Sequence, residues 1–384
     1  MKQGWEYKKL GEVAEIVGGS TPKTNVEEYW DGDHFWVTPA ELKGDRFIIS
    51  TSRTITDLAV ESTNLSLLPK GTVLLSSRAP IGKVAITDVP MYCNQGFKNI
   101  ICGEKLNNNY IYWLLYGKTE YLNSLGVGAT FKEISKKIVE NITIPVPPLP
   151  TQQAIVSELD TLSGIIAECK ETLKDYDALE QSIFYDMFGD PVKNDKGWEV
   201  KKLGDICKVG TGSTPDRKNE RFYEGYIPWV KSTEVCNLVI NNTQEHISQE
   251  AYDSSNCSLY PKGSILMAMY GQGKTRGQVG ILGIEACTNQ AVAAIILPDN
   301  IATTFLFVQL QLMYNYIRGM ANGCNQTNLN VGIVKSIVII CPPLPLQQSF
   351  ATKIEAIEQM KAETKEALQE AETLFQARMD YWFN

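Results

Sequence analysis

The chain has 384 residues, 43% hydrophobic and 21% charged, with a net charge of −8. That is enough for two or three domains with cores of their own, in proportions ordinary for a soluble protein. The opening Met1-Lys2-Gln3-Gly4-Trp5-Glu6 lacks the apolar core of a signal peptide, and runs such as Ala291–Leu297 fall well short of the roughly 18 residues that cross a bilayer. Nine cysteines, odd in number and never spaced C-x-x-C, argue against a disulfide framework or a thiolate zinc site, and the only histidines are His34 and His246. A reduced, cytoplasmic, metal-free protein with no membrane partner is the expectation.

Residues 1–150 read as a mixed, strand-rich head. β-Branched runs such as Thr72-Val73-Leu74-Leu75 and Lys83-Val84-Ala85-Ile86 are punctuated by Pro69-Lys70-Gly71, Ala79-Pro80 and Ile81-Gly82. A helix is predicted over Asn109–Tyr121, and Ile138, Ile142 and Ile144 close the head in an extended stretch. From 151 to 190 the period changes: Ile155, Leu159, Leu162, Ile166, Cys169, Leu173 and Tyr176 alternate steps of four and three, reach Glu180, and resume at Ile183 and Met187. Such spacing is that of a coiled coil. Residues 191–345 repeat the head, with strands at Ile265–Met267, Ala291–Leu297 and Ile337–Ile340 and a helix over Thr303–Met320. A looser stripe of Phe350, Ile354, Ile357, Met360, Leu368, Ala371, Phe375 and Met379 fills the last stretch, 346–384.

The two halves are copies. Gly4-Trp5-Glu6, Lys8-Lys9-Leu10-Gly11 and Gly19-Ser20-Thr21-Pro22 return at an offset of 193 as Gly197-Trp198-Glu199, Lys201-Lys202-Leu203-Gly204 and Gly212-Ser213-Thr214-Pro215. Pro147-Pro148-Leu149-Pro150 with Gln152-Gln153 returns at 195 as Pro342-Pro343-Leu344-Pro345 with Gln347-Gln348. The period far exceeds that of a solenoid repeat, so each copy is a domain followed by a helix. Helices of about 35 residues are too long for an ordinary core, and neither can bury its seam alone, so the two are expected to pack together. Paired antiparallel, they would hold the heads at opposite ends of a spacer of roughly 50 Å, beside about 34–36 Å for one turn of B-DNA. The expected class is α/β (α+β): two strand-rich heads separated by a pair of long antiparallel helices, pseudo-two-fold symmetric. The charge is divided accordingly. Residues 151–190 hold nine acids against Lys170 and Lys174, and 346–384 hold seven against four bases, which leaves the heads mildly basic. That permits the heads to bind a polyanion.

The pattern resembles the specificity subunit of type I restriction–modification systems: two domains, each opening with G-W-x-x-x-x-L-G and a Gly-Ser-Thr-Pro segment, each closing with P-P-L-P-x-Q-Q before a long helix. The resemblance covers the whole chain. It implies that each head is a target-recognition domain reading one half of a split, asymmetric sequence in double-stranded DNA. The helices are then a ruler for the unread gap and a dock for two adenine-N6 methyltransferase subunits, which restriction subunits join. The chain itself would need no cofactor, the methyl donor and ATP belonging to the partners.

Catalysis has no home in the residues. Met269-Tyr270-Gly271-Gln272-Gly273-Lys274-Thr275 approaches the end of a P-loop, but Ala268 stands where the first glycine is required. The two Pro-Pro segments lack the Asn/Asp and the aromatic of an amino-methyltransferase motif. DNA contact suits what remains. In the first head the candidates are Thr21, Lys23, Thr38, Lys43, Arg78, Lys83, Thr130 and Lys132. In the second they are Thr214, Arg217, Lys218, Lys231, Tyr270, Gln272, Lys274, Arg276, Asn325 and Gln326. Asn94-Gln95 and Asn289-Gln290 could pair with adenine. Because they recur in both copies, they are read as structural, as are Trp5/Trp198 and Trp36/Trp229. Residues that differ between the copies are the better candidates for base readout. A coiled-coil adaptor whose heads bind protein is the rival reading, and a self-contained methyltransferase or nuclease a more distant one.

Overall fold

Gly and Pro punctuation cuts each head into short strands. The computed structural model describes residues 4–63, 65–78, 80–128, 132–271, 273–321 and 328–383. In the first head β1 (Glu6–Lys9), β2 (Ala14–Gly18), β3 (Trp30–Val37), β4 (Phe47–Ile48) and β5 (Thr54–Ile55) lead to β6 (Val73–Leu75), β7 (Val84–Thr87), β8 (Tyr92–Cys93), β9 (Lys98–Cys102) and β10 (Thr143–Val146). Between them lie α1 (Leu10–Val13), α2 (Asp57–Thr63), α3 (Asn108–Tyr116), α4 (Thr119–Ser124) and α5 (Lys136–Glu140), and α6 (Leu149–Phe188) follows. The strands form a five-stranded sheet in the order β2-β9-β6-β7-β4, a three-stranded sheet β5-β3-β8 and the pair β1-β10.

The second head repeats this with β11 (Val200–Lys202), β12 (Lys208–Thr211), β13 (Ile227–Val230), β14 (Val239–Ile240) and β15 (Glu245–Ile247). Then come β16 (Ile265–Ala268), β17 (Val279–Leu282), β18 (Cys287–Thr288), β19 (Val292–Ile296) and β20 (Val338–Ile340). Its helices are α7 (Leu203–Ile206), α8 (Gln249–Ser254), α9 (Thr303–Leu312), α10 (Tyr314–Met320) and α11 (Val331–Ser336), with α12 (Leu344–Phe383) after them. The sheet orders, β12-β19-β16-β17-β14, β15-β13-β18 and β11-β20, match those of the first head.

The central strands are apolar at every position because both faces are covered. Val73 and Leu75 of β6 enter the core with Trp113 and Leu114 of α3, while Leu74 enters the opposite layer with Val37, Leu42 and Phe97. Ile265 and Met267 of β16 divide from Leu266 and Ala268 in the same way. A side-chain period of two inside a continuous apolar run is the mark of a doubly covered sheet.

Three expectations are corrected. Ile138 lies in α5, and the extended stretch begins only at Thr143. The helix expected over Asn109–Tyr121 is two, α3 and α4, and that over Thr303–Met320 breaks at the buried Met313 into α9 and α10. Apolar residues on both sides of each break enter one core, so hydrophobicity alone reads as continuous. The third concerns the helix seams.

Helices α6 and α12 are 40 residues each, about 60 Å at 1.5 Å per residue. The chain divides into two compact units, Met1–Lys170 with Glu366–Asn384 and Glu171–Lys365, and each contains part of both helices. In the first unit Ile155 and Leu159 of α6 share a core with Met379 and Phe383 of α12. There Lys170 pairs with Glu372 at 2.7 Å, and Glu158 takes a hydrogen bond from Arg378 at 3.0 Å, so the helices run antiparallel. In the second unit Phe184 and Phe188 meet Phe350, Ile354 and Ile357 together with Phe305 of α9.

Met360, expected in the α12 seam, is 39% exposed, and the adjacent Lys361, 5% exposed, takes the place. It continues the four–three spacing from Ile354 and Ile357, whereas a search for apolar residues passes over a lysine. Its ammonium lies 2.8 Å from Asp177, 2.8 Å from Glu180 and 3.0 Å from Glu358. Burial disfavours both charges of the central pair. For Glu180 it prevails and pushes the carboxyl up to about 7, while for Lys361 the three carboxylates outweigh it and raise its pKa. With Asp177 and Glu358 also facing it, Lys361 stays charged whichever way Glu180 titrates.

At the repeat offset of 195, Lys361 and Glu180 correspond to Ile166 and Phe375, an apolar pair. Replacing Lys361 alone (Lys361→Ile) should cost about 1–3 kcal/mol in urea unfolding, because the half-buried Glu180 loses its partner. Adding Glu180→Phe should restore wild-type stability or exceed it by about 1–4 kcal/mol.

Candidate nucleic-acid interface

Strand pairing gathers the candidate loops. Gly18 pairs with Lys98, Leu75 with Val84 and Val37 with Cys93, so the loops after β2, β3, β6 and β8 leave the first head at one end. That end carries Thr21, Lys23, Thr38, Lys43, Arg78 and Lys83. Bridges from Glu133 to both Val127 and Arg78 bring the segment with Lys132 to the same place. In the second head, Thr211–Ala293, Ala268–Val292, Met267–Val279 and Val230–Thr288 pairing gathers Thr214, Arg217, Lys218, Lys231, Tyr270, Lys274 and Arg276. Thr130, Gln272, Asn325 and Gln326 lie outside the described residues.

The residues repeated in both copies build the platform. A Cβ on Gly19 would stand 2.1 Å from the Asn94 carbonyl oxygen, and one on Gly212 would stand 1.7 Å from that of Thr288, so only glycine lets the segment lie against the end of β8 or β18. The next residue's carbonyl, on Ser20 or Ser213, accepts the indole N–H of Trp36 (3.1 Å) or Trp229 (3.0 Å). The hydroxyls of Thr21 and Thr214 donate to Gln95 and Gln290. Asn94 Oδ1 accepts from the Gly96 N–H at 2.8 Å, and Asn289 Oδ1 from the Ala291 N–H at 3.1 Å, each within its own turn. Glu41 caps the turn after β3 by accepting from the Thr38 N–H at 2.8 Å, and Glu234 does the same for Lys231 at 2.8 Å. Lys83 donates to the Leu42 carbonyl at 2.9 Å and so ties two of the loops together.

The closing motif anchors each helix to its head. Buried Gln152 donates to the carbonyls of Pro147 (2.8 Å) and Lys105 (2.8 Å) and accepts from the Asn107 N–H at 2.8 Å. Gln347 repeats this with Pro342 (2.8 Å) and Ala302 (3.0 Å). The opening tryptophans pack on helix ends, Trp5 stacked with Trp382 at 6.1 Å and Trp198 edge-on to Phe188 at 6.4 Å.

The cations on this platform differ between copies. In the first head Glu133 holds Arg78 at 2.9 Å and Lys98 at 3.2 Å. Burial raises the Glu133 pKa, but hydrogen bonds from Arg78 and Lys98 outweigh it and hold the carboxyl below its ordinary range. In the second, Glu245 holds Lys231 at 2.7 Å and Arg217 at 2.6 Å, and the bond from Lys231 contributes most to lowering its pKa. Arg217 also lies over Tyr223 (4.2 Å) and Trp229 (5.0 Å). Either cluster carries two cations on one carboxylate, a net positive, oriented group suited to phosphate or a base edge. Lys23, Lys43, Lys132, Lys218 and Lys274 are exposed around them, and Arg276 is half-buried.

Arg53 escaped the sequence reading. It is exposed and lies 3.5 Å from the ring centre of Trp30 and 5.6 Å from that of Trp36. Its carbonyl, one residue before β5, accepts from the Trp36 N–H at 3.2 Å, the place opposite the tryptophan that Glu245 takes beside Trp229 in β13–β15. One platform position thus carries an arginine in one head and a glutamate in the other. Alignment by that register, rather than by composition, is the signal that finds it. Among the described residues no group of three or more His, Cys, Asp or Glu could hold a metal ion, and no helix is long and apolar enough to cross a membrane.

One platform is thus built twice and carries different charged groups in each head. The sequence profile of the type I restriction modification DNA specificity domain matches residues 2–175 and again 195–373. The MjaIX type I restriction enzyme specificity subunit of Methanocaldococcus jannaschii is 32% identical over 373 residues, covering 92% of this chain and 86% of that one. The EcoR124I/EcoR124II specificity subunit of Escherichia coli is 32% identical over 173 residues, 42% of this chain and 43% of the other. The crystal structure of a type I S subunit from M. genitalium shares the fold with a TM-score of 0.62 at 14% identity, covering 99% of this chain and 97% of that one. The chain belongs to the family of type I restriction–modification DNA specificity subunits.

The close approach at the platform gives a direct test. Gly19→Ala and Gly212→Ala should each destabilise the chain by about 1–3 kcal/mol in urea unfolding, the range for forcing atoms into packed space. Gly18→Ala, where an added Cβ meets nothing within 4 Å, should fall well below that range.

Proposed function

We propose that each head reads one half of a split, asymmetric target in double-stranded DNA through the loop end of its sheets. Residues about 1–150 and 191–345 act as the two target-recognition domains. The helices at about 151–190 and 346–384 set the unread gap and dock two adenine-N6 methyltransferase subunits, with restriction subunits joining where they exist. The chain acts in the cytoplasm and is not itself catalytic; methyl donor and ATP are used by the partners. One observation carries this reading: the residues shared by the heads make the same platform, while the charged groups on it differ, as Arg53 and Glu245 do at one position. Two readers of different half-sequences need a common scaffold and different contacts. The acid concentrated on the helices also keeps DNA to the heads.

Methyl transfer to DNA should appear only when a methyltransferase subunit and methyl donor are added to the purified chain. Binding by that complex should weaken steeply with salt. Arg53→Ala and Arg217→Ala should each weaken binding by about 1–3 kcal/mol, the first at one half-site only and the second at the other. Methylation by the chain alone, or affinity indifferent to salt, would overturn the reading.

A further inference from the structure

In the first unit the wedge between head and helix is filled by the chain's own arginine. Arg46, just before β4, donates to Asp160 of α6 and, at 2.8 Å, to Asn109 of α3. Its guanidinium lies 4.9 Å from the Tyr112 ring centre and 5.1 Å from that of Trp113. The Arg46 carbonyl accepts from the Ile86 N–H at 2.7 Å, which locks its place in the sheet.

The second unit has the same wedge without the arginine. The Ile281 N–H, counterpart of Ile86, donates at 3.0 Å to the carbonyl of Leu238, and Leu238 is 47% exposed. Around the place an arginine would fill, the repeat sets Glu355 for Asp160, Thr304 for Asn109, Phe307 for Tyr112 and Val308 for Trp113. All four line an open cleft of 640 Å³. Val308 in place of Trp113, and Glu180 in place of Phe375, widen it.

We propose that this cleft receives the guanidinium of an arginine carried by a partner protein. A planar cation suits the site in three respects: the face of Phe307 to stack on, the Glu355 carboxylate to pair with and the Thr304 hydroxyl to accept an N–H. Lys361 engages Asp177, Glu180 and Glu358, and among the described residues no cation reaches Glu355. Four carboxylates against one lysine in the lining also repel a phosphate backbone, so the occupant is protein rather than DNA. The cleft's preference for arginine stands on the repeat alone. That the donor is the methyltransferase subunit rests on the function proposed above. On that reading two such subunits meet unlike surfaces, since Arg46 already closes the first wedge.

The full chain, labelled at its Ile, Leu and Val methyls, is titrated with N-acetyl-arginine amide and followed by NMR. Saturable shifts are expected at Val308, Leu312 and Ile354, with none from the uncharged isostere N-acetyl-citrulline amide. Leu238→Arg, at an exposed position, should fold, supply its own arginine and abolish the response to the probe, and Glu355→Gln should weaken probe binding at least fivefold. No saturable shift, an equal response to citrulline, or unchanged probe binding in both variants would overturn the cleft. Affinity for the methyltransferase subunit separates the two ideas. Wild-type chain that binds it while Leu238→Arg binds at least tenfold more weakly supports the proposal. Equal binding by both removes that subunit as the occupant and leaves the function standing. No binding by the wild type contradicts the function, whatever the probe shows.

Discussion

Two 40-residue helices each carry an apolar seam that neither can bury alone, and the rest of the structure follows from that need. Each unit satisfies it in the same way, by laying part of one helix antiparallel to part of the other and closing the seam with the head's own helices. Phe305 of α9 joins Phe184, Phe188 and Phe350 in the second unit, and Trp113 of α3 joins Phe375 and Ile155 in the first. Because the seam is completed by head residues, the helix is part of the head's core and not an appended rod. Gln152 and Gln347, bonded to the carbonyls of the prolines before them, hold the junction between sheet and helix.

Within that frame the repeated residues and the divergent ones have separate tasks. Gly19/Gly212, Trp36/Trp229, Thr21/Thr214 and Glu41/Glu234 bring four loops together at one end of each head, by contacts a substitution would break. The divergent ones decorate the platform: Arg53 over two tryptophans in one copy, Arg217 held by Glu245 over Tyr223 and Trp229 in the other. The same division reaches the helices, where Ile166 and Phe375 correspond to Lys361 and Glu180, and the strand beside them, where Arg46 before β4 corresponds to Leu238 before β14. The two halves share one fold and differ in the groups on its surface.

The architecture was legible because its causes are periodic or repeated. The four–three spacing from Ile155 to Tyr176, the Pro-Pro-Leu-Pro-x-Gln-Gln segments and the constant offset between copies are all visible without coordinates. What escaped depends on partners that the chain order does not show. A hydropathy stripe selects Met360 and rejects a lysine, although the spacing from Ile357 fits the buried Lys361. Arg53 gains meaning only from the β5–β3 register that sets it over Trp30 and Trp36. Ile138 looked extended because an apolar residue two or four places from the next fits a strand as well as a short helix. Of the loop candidates, Thr21, Thr38, Lys83, Thr214 and Lys231 make contacts that shape the loops, information carried by their partners Gln95, Glu41, Leu42, Gln290 and Glu234 rather than by residue type.

Whether the two heads read independently on one scaffold is decided by sequencing the methylated sites of a host whose specificity subunit has about Trp198–Ile340 exchanged for the equivalent stretch of another family member. One half of the methylated sequence should change, while the other half and the gap between them stay as they were. A change in both halves, or in neither, would contradict independent reading by the two heads.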